Sequence, residues 1–323
     1  MQRLLAPVLA LLAGLLPALP ATAQSDAVPA VMRIVVPFAP GGSNDVIARA
    51  VGPALAKRLN NTVIIENKPG AAGAIGADAV AKGPKDGSLL LLTSSSILTS
   101  AATMPRTTPY DVLTAFAPVA MVGQGPMLLA VSAATPYKSP ADLVAAARAQ
   151  AGSVKYGTAG QGSIAHMSSE MLGDAARVQM LHVPYKGAAP ALLDLAAGTI
   201  DMMISNYSSL APQIKAGRVR PLAVTSRQAS PAFPDLPPMA GAAPGFSAEI
   251  WVAVFAPAGT PAGLVQRLNR ELVEIARQSD IRALLEADGA LPTPLNPAEV
   301  AVRVKEDLAA WKKIATDKNI TAE

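Results

Sequence analysis

The chain has 323 residues, 51% of them hydrophobic, 15% charged and 4% aromatic, and no cysteine. At about 150 residues per domain the length fits roughly two domains or one large α/β unit, and the apolar fraction excludes long disorder. The missing cysteines exclude disulfides, thiolate metal sites and a cysteine nucleophile. The 27 basic and 23 acidic residues leave only +4, without the basic runs interleaved with aromatics that track a phosphate backbone, so the pI near 9.3 does not argue for nucleic acid.

The first segment reads as a leader. Arg3 precedes an apolar run from Leu4 to Leu19, and Ala21-Thr22-Ala23 supplies the small residues of a cleavage site. That pattern predicts a signal peptide over 1–23 and a mature chain exported from the cytoplasm. A membrane anchor fits less well, because Pro7, Pro17 and Pro20 interrupt a run shorter than the roughly 20 apolar residues a span needs.

Arg33 to Phe38 is a short β-branched run ended by Pro40-Gly41-Gly42, the pattern of a buried parallel strand. Val46, Ile47, Ala50, Val51, Ala54, Leu55 and Leu59 then recur at helical spacing, with Asp45 and Arg49 set for an i,i+4 pair. Strands are predicted at 63–66 and 89–93, with a glycine-rich turn over 70–76 and a helix through Ala81 between them. This alternation is that of an open parallel sheet. It restarts with strands at 118–122 and 127–131 and a helix from Pro140 to Ala149, for which Ser139 is the N-cap. Strands at 155–157, 180–183 and 201–204 alternate with helices from Ser163 to Gly173 and from Ala188 to Ala197. After a proline-rich stretch over 231–244 come a strand at 250–257 and helices over 261–278, 279–287 and 297–314. If those helices return to the first unit, lobe one comprises 24–128 plus about 253–323 and lobe two about 129–252, with a hinge between them.

Groups that do chemistry are sparse. His166 and His182 are the only histidines, and each reads as a hydrogen-bonded structural group. No His-x-x-x-His, Glu-x-x-His or acidic calcium loop is present, so no metal is expected. Gly70, Gly73 and Gly76 are spaced unlike a dinucleotide fingerprint or P-loop, so no nucleotide cofactor is expected either. What the loops offer is backbone. Ala39 to Asn44 and Thr158 to Ser163 each join a strand to a helix, where glycines and a helix N-terminus aim N–H groups at an anion. Hydroxyls at Ser43, Thr158, Ser163 and the Ser94-Ser95-Ser96 run add directed hydrogen bonds. Taken singly, either loop is also what an ordinary turn looks like, with Ser43, Asn44 or Ser163 as N-cap. Their repetition in two lobes favours a ligand between them, outside the carboxyl ends of the strands.

The segments Val35 to Asp45, Ala48-Arg49, Val63 to Gly73, Pro84 to Gly87, Tyr156 to Ser163, Val183 to Gly187, Gly198 to Asp201 and Phe255 to Pro261 together resemble, in order, the Bug family of extracytoplasmic solute receptors. These are substrate-binding components of tripartite tricarboxylate transporters. The resemblance implies a periplasmic binding protein-like α/β fold, two lobes closing by a hinge on a small organic carboxylate, with no catalysis and no cofactor. It implies ligand contacts at Phe38, Ala39, Gly41, Gly42 and Ser43 from one lobe and Thr158, Ala159, Gly160 and Ser163 from the other. Ser94, Ser95, Ser96 and Asn206 follow strands and are expected to face the same cleft, while Lys186 is expected at its rim. The implied ligand is a di- or tricarboxylate, an acidic amino acid or an aromatic acid, and the implied partners are membrane permease subunits of a monomeric receptor. Ser88 replaces an aromatic common in the family, and Ser205 an acidic residue, which weakens an amino-acid ligand. Two other readings compete: a secreted serine hydrolase using Ser163 or Ser95 with His166, and a soluble sensor that reports to a membrane kinase.

Overall fold

β-branched and leucine-rich runs supply the strands of two separate sheets, and the chain passes between these sheets twice. The computed structural model describes residues 27–322, so the expected leader over 1–23 lies outside the described residues. The first sheet begins with β1 (Val31–Val36), β2 (Thr62–Asn67) and β3 (Leu89–Ser94), joined in parallel through α1 (Ser43–Leu59) and α2 (Ala74–Ala81). After α3 (Ser96–Thr103) comes β4 (Phe116–Pro126), which runs on through Met127 into β5 (Leu128–Ser132) of the second sheet. That sheet adds β6 (Lys155–Thr158), β7 (Leu181–Pro184), β8 (Met202–Ser205) and β9 (Val219–Val224) in the order β7-β6-β8-β5-β9. Its helices are α4 (Pro140–Ala149), α5 (Ile164–Ala176), α6 (Ala188–Ala197) and α7 (Tyr207–Lys215). The chain returns as β10 (Glu249–Pro257), followed by α8 (Ala262–Ala276), α9 (Ser279–Glu286), β11 (Leu291–Pro292) and α10 (Pro297–Asp317). The first sheet thus has the order β11-β4-β10-β3-β1-β2.

The first sheet is mixed rather than parallel: β10 runs antiparallel to β3 and β4. A strand that re-enters from the second lobe arrives from the opposite end of the sheet, which reverses its direction. All of β10 from Glu249 onward pairs in the first sheet, so the strand pairing changes lobe before Glu249 rather than near 253. Met127 and the segment 225–248 are the connections. Thr225 clips them together, its hydroxyl accepting from Met127 N–H (2.8 Å) and donating to Met127 C=O (3.0 Å), while its own C=O accepts from Ala248 N–H (2.9 Å).

Ser139 caps α4 with a reciprocal Asp142 contact and Pro140 at the first position, as its sequence predicts. Asn296 and Glu299 form the same box on α10, whose face with Val300, Val304, Leu308 and Trp311 is buried. One apolar cluster runs continuously from Leu91 and Phe255 of the first sheet to Leu129, Tyr156 and Met202 of the second. The glycine-rich turn has a packing role: a Cβ on Gly76 would stand 2.6 Å from Lys68 O and 2.9 Å from Pro37 Cα.

Candidate ligand-binding cleft

Three helix N-termini meet at one cavity of about 240 Å³. α1 contributes Ser43 and Asn44 with its N-cap Gly42, α3 contributes Ser96, and α7 contributes its N-cap Asn206. Each terminus brings N–H groups without intrahelical partners and about half a positive charge toward the same space. Ser94, at the end of β3, accepts from Asn44 Nδ2 (3.4 Å) and shares a short hydrogen bond with Ser96. Phe38, Ile47, Ile250, Val252 and Leu285 make the rest of the lining largely apolar. Among the described residues the single charged lining residue is Asp288, and neither lysine nor arginine lines the cavity.

The loop before α1 is held from below. Asp45, 3% exposed, accepts from Gly41 N–H (2.9 Å), Arg49 Nε (3.0 Å) and Asn67 Nδ2 (2.9 Å). Asn67 also donates to Phe38 C=O (3.1 Å). The Arg49 hydrogen bond, helped by Gly41 and Asn67 and opposed by burial, holds the Asp45 carboxyl down at about 2. Besides forming the i,i+4 pair with Arg49, this side chain anchors the loop before α1.

Of the residues predicted to bind ligand, Phe38, Gly42, Ser43, Ser94, Ser96 and Asn206 line this cavity. Gly41 lines an adjoining one, while Ala39 is exposed in the same loop. Ser95 is fully buried as the N-cap residue of α3 and does not line the cavity. Thr158, Ala159, Gly160 and Ser163 do not line it either. Their loop packs instead on the end of α3 and the C-terminal segment: a Cβ on Gly162 would stand 2.6 Å from Thr103 Oγ1, and Gln161 Nε2 donates to Thr321 C=O (2.7 Å). Sequence reasoning missed Asp288. Nothing in Glu-Ala-Asp-Gly marks more than a turn, and only the fold carries it across to Asn206. Asn67 falls in the Val63 to Gly73 segment, where residue type alone assigns it no role, and the fold brings it to Asp45 and Phe38.

A larger cavity of about 620 Å³ lies beside the crossing strands. Among its charged lining residues Arg303 is already paired, binding Asp307 (2.9 Å), Gln124 (2.9 Å) and Glu249 (3.3 Å).

The sequence model of the tripartite tricarboxylate transporter family receptor matches residues 47–320. The chain belongs to that family. The receptor is 35% identical over 302 residues to BugT of Bordetella pertussis, a match covering 92% of each chain. Among solved structures it is similar to a protein of R. palustris with adipate, at 35% identity and TM-score 0.76, covering 90% of this chain and 98% of the other. It is also similar to MatC from Rhodopseudomonas palustris with bound malate, at 30% identity and TM-score 0.73, covering 88% and 98%. The receptor is therefore a solute-binding protein of two α/β lobes, not an enzyme.

The groups that a hydrolase would use are committed elsewhere. Ser163 donates to Gly160 C=O (2.7 Å) and accepts from His166 N–H (3.3 Å) as the N-cap of α5. The His166 ring accepts at Nδ1 from Gly162 N–H (3.1 Å) and stacks on His182 at 3.9 Å, whose Nε2 pairs with Thr158 Oγ1 (2.7 Å).

Proposed function

We propose that this receptor captures a small organic carboxylate in the periplasm and delivers it to the membrane subunits of a tripartite tricarboxylate transporter. The observation that carries the reading is the convergence of the α1, α3 and α7 N-termini on a cavity lined by no basic side chain. Oriented N–H groups and the hydroxyls of Ser43, Ser94 and Ser96 suit a carboxylate, and they bind it without the desolvation cost of burying an arginine. The apolar wall of Ile47, Ile250, Val252 and Leu285 suits a short carbon chain. The adipate and malate bound by the two similar R. palustris proteins support this ligand class. Lobe closure follows from contact: an anion touching Ser43 and Asn206 together stabilises the shut state over the open one. The test is a thermal-shift and calorimetric panel of mono-, di- and tricarboxylates, amino acids and aromatic acids against the purified chain. Saturable binding of at least one carboxylate is expected, and a panel in which none binds sinks the reading.

A further inference from the structure

Asp288 lies in the turn after α9, on the first lobe, yet two of the three donors to its carboxylate come from the second lobe. Its Oδ2 accepts from Ser43 Oγ (3.2 Å) and Asn206 Nδ2 (3.2 Å), and its Oδ1 accepts from Ser208 N–H (3.1 Å). Asn206 is the N-cap of α7 and Ser208 its second residue, so the carboxylate sits where that helix end receives an anion. The turn that presents it is well fixed. Gly289 at φ +77° closes it, and Gly125 of β4 lets it approach, because a Cβ there would meet Gly289 O at 2.4 Å. A second cavity, also about 240 Å³, adjoins the first, and Ser43, Ile47 and Asp288 line both. The Asp288 contact is thus the partition between them.

We propose that Asp288 is a built-in competitor of the ligand: its carboxylate takes the donors a ligand carboxylate would use, ties the lobes together before a ligand arrives, and divides the cleft. This rests on the carboxylate reading given above. Two ionised carboxylates cannot share Ser43, Asn206 and Ser208 N–H, since like charges about 3 Å apart repel strongly. A ligand reaching from one cavity into the other must displace Asp288, so this residue sets which carboxylates enter and how tightly.

The experiment uses the full chain with adipate and malate as probes. Asp288→Ala frees three donors and removes a negative charge from a cavity without a cation, and a charge-assisted set of this kind corresponds to affinity tighter by at least about tenfold for one of the two probes. Asp288→Asn, which keeps the shape but not the charge, is expected to shift affinity the same way by less. A second readout needs no ligand. Because the chain has no cysteine, Ala283→Cys and Ser209→Cys, both at exposed positions, place spin labels on either side of the contact. Their distance distribution is expected to lengthen and broaden when Asp288→Ala is added. Affinity that falls or stays unchanged in both Asp288 variants, or a distribution that does not move, overturns the proposal. Should the parent chain bind no carboxylate, the functional reading fails, and the distances alone decide whether Asp288 is a latch.

Discussion

Asp45 shows how one buried side chain shapes a site that it does not line. Its carboxylate accepts from Gly41, Arg49 and Asn67, and so holds the Phe38–Gly42 loop in register with the start of α1. Asp45→Asn is expected to cost about 2 kcal/mol in urea denaturation at pH 7 and to weaken carboxylate binding with it. Because the folded carboxyl lies at about 2, below its ordinary 3.8, this stabilisation is complete at neutral pH and is lost only as the pH falls from about 3.8 through 2. The histidines act in a higher window. Burial holds His166 near 4, and burial, then the neighbouring His166, opposed by Glu170, holds His182 near 4, against an ordinary 6.5. The unfolded chain therefore binds more protons below 6.5. Stability is complete above that pH and declines toward 4, by up to about 1.4 kcal/mol per pH unit for each histidine. Urea midpoints that stay level between pH 7 and 5 would refute this account of the stacked pair.

Among the elements, the two crossing connections matter most to function, and Thr225 joins them. Thr225→Val keeps the volume but leaves Met127 N–H buried without its acceptor at 2.8 Å, an expected loss of about 1–2 kcal/mol, whereas Thr225→Ser keeps the bond and loses less. Thermal melting of both variants checks the difference. How far each element could be read depended on its pattern. β1, β2 and β3 each hold an apolar run (residues 34–36, 63–65 and 89–92), and α10 has a full capping box and an apolar stripe, so local pattern marks them. The short helix α3 has only eight residues, and Ser96, Thr99, Ser100 and Thr103 dilute the helix formers Leu98, Ala101 and Ala102, so residue order marks its start as a serine-rich loop. Pro212 within α7 and Pro221 within β9 hid two further elements, and β9 tolerates its proline as the edge strand of its sheet.

For the molecule as a whole, the decisive arrangement is a cleft whose donors come from both lobes while a common apolar cluster and the Thr225 clip keep those lobes in register. A ligand that touches Ser43 and Asn206 adds its binding energy to this framework. At a concentration of about 100 times Kd it stabilises the fold by about 2.7 kcal/mol, a shift of several degrees in the thermal panel that tests the proposed function. A carboxylate that binds without raising the melting temperature would contradict a ligand clasped between lobes.

The α/β class, the two units in series and the loop before α1 were legible in the residue order, because strand and helix periodicities and glycine-rich strand-to-helix turns are local signals. The family motifs carried the family membership. What residue order did not carry is which of those loops share a cavity. Ser94, Ser96 and Asn206 meet the Phe38–Ser43 loop, but Thr158–Ser163 lies against Thr103 and the C-terminal segment. Nor did it reveal Asp288, whose partners stand 245, 82 and 80 residues away in the chain. Contacts at such separations are made by the return of β10 and the packing of α9, and these follow from burial summed over the entire chain rather than from any local pattern.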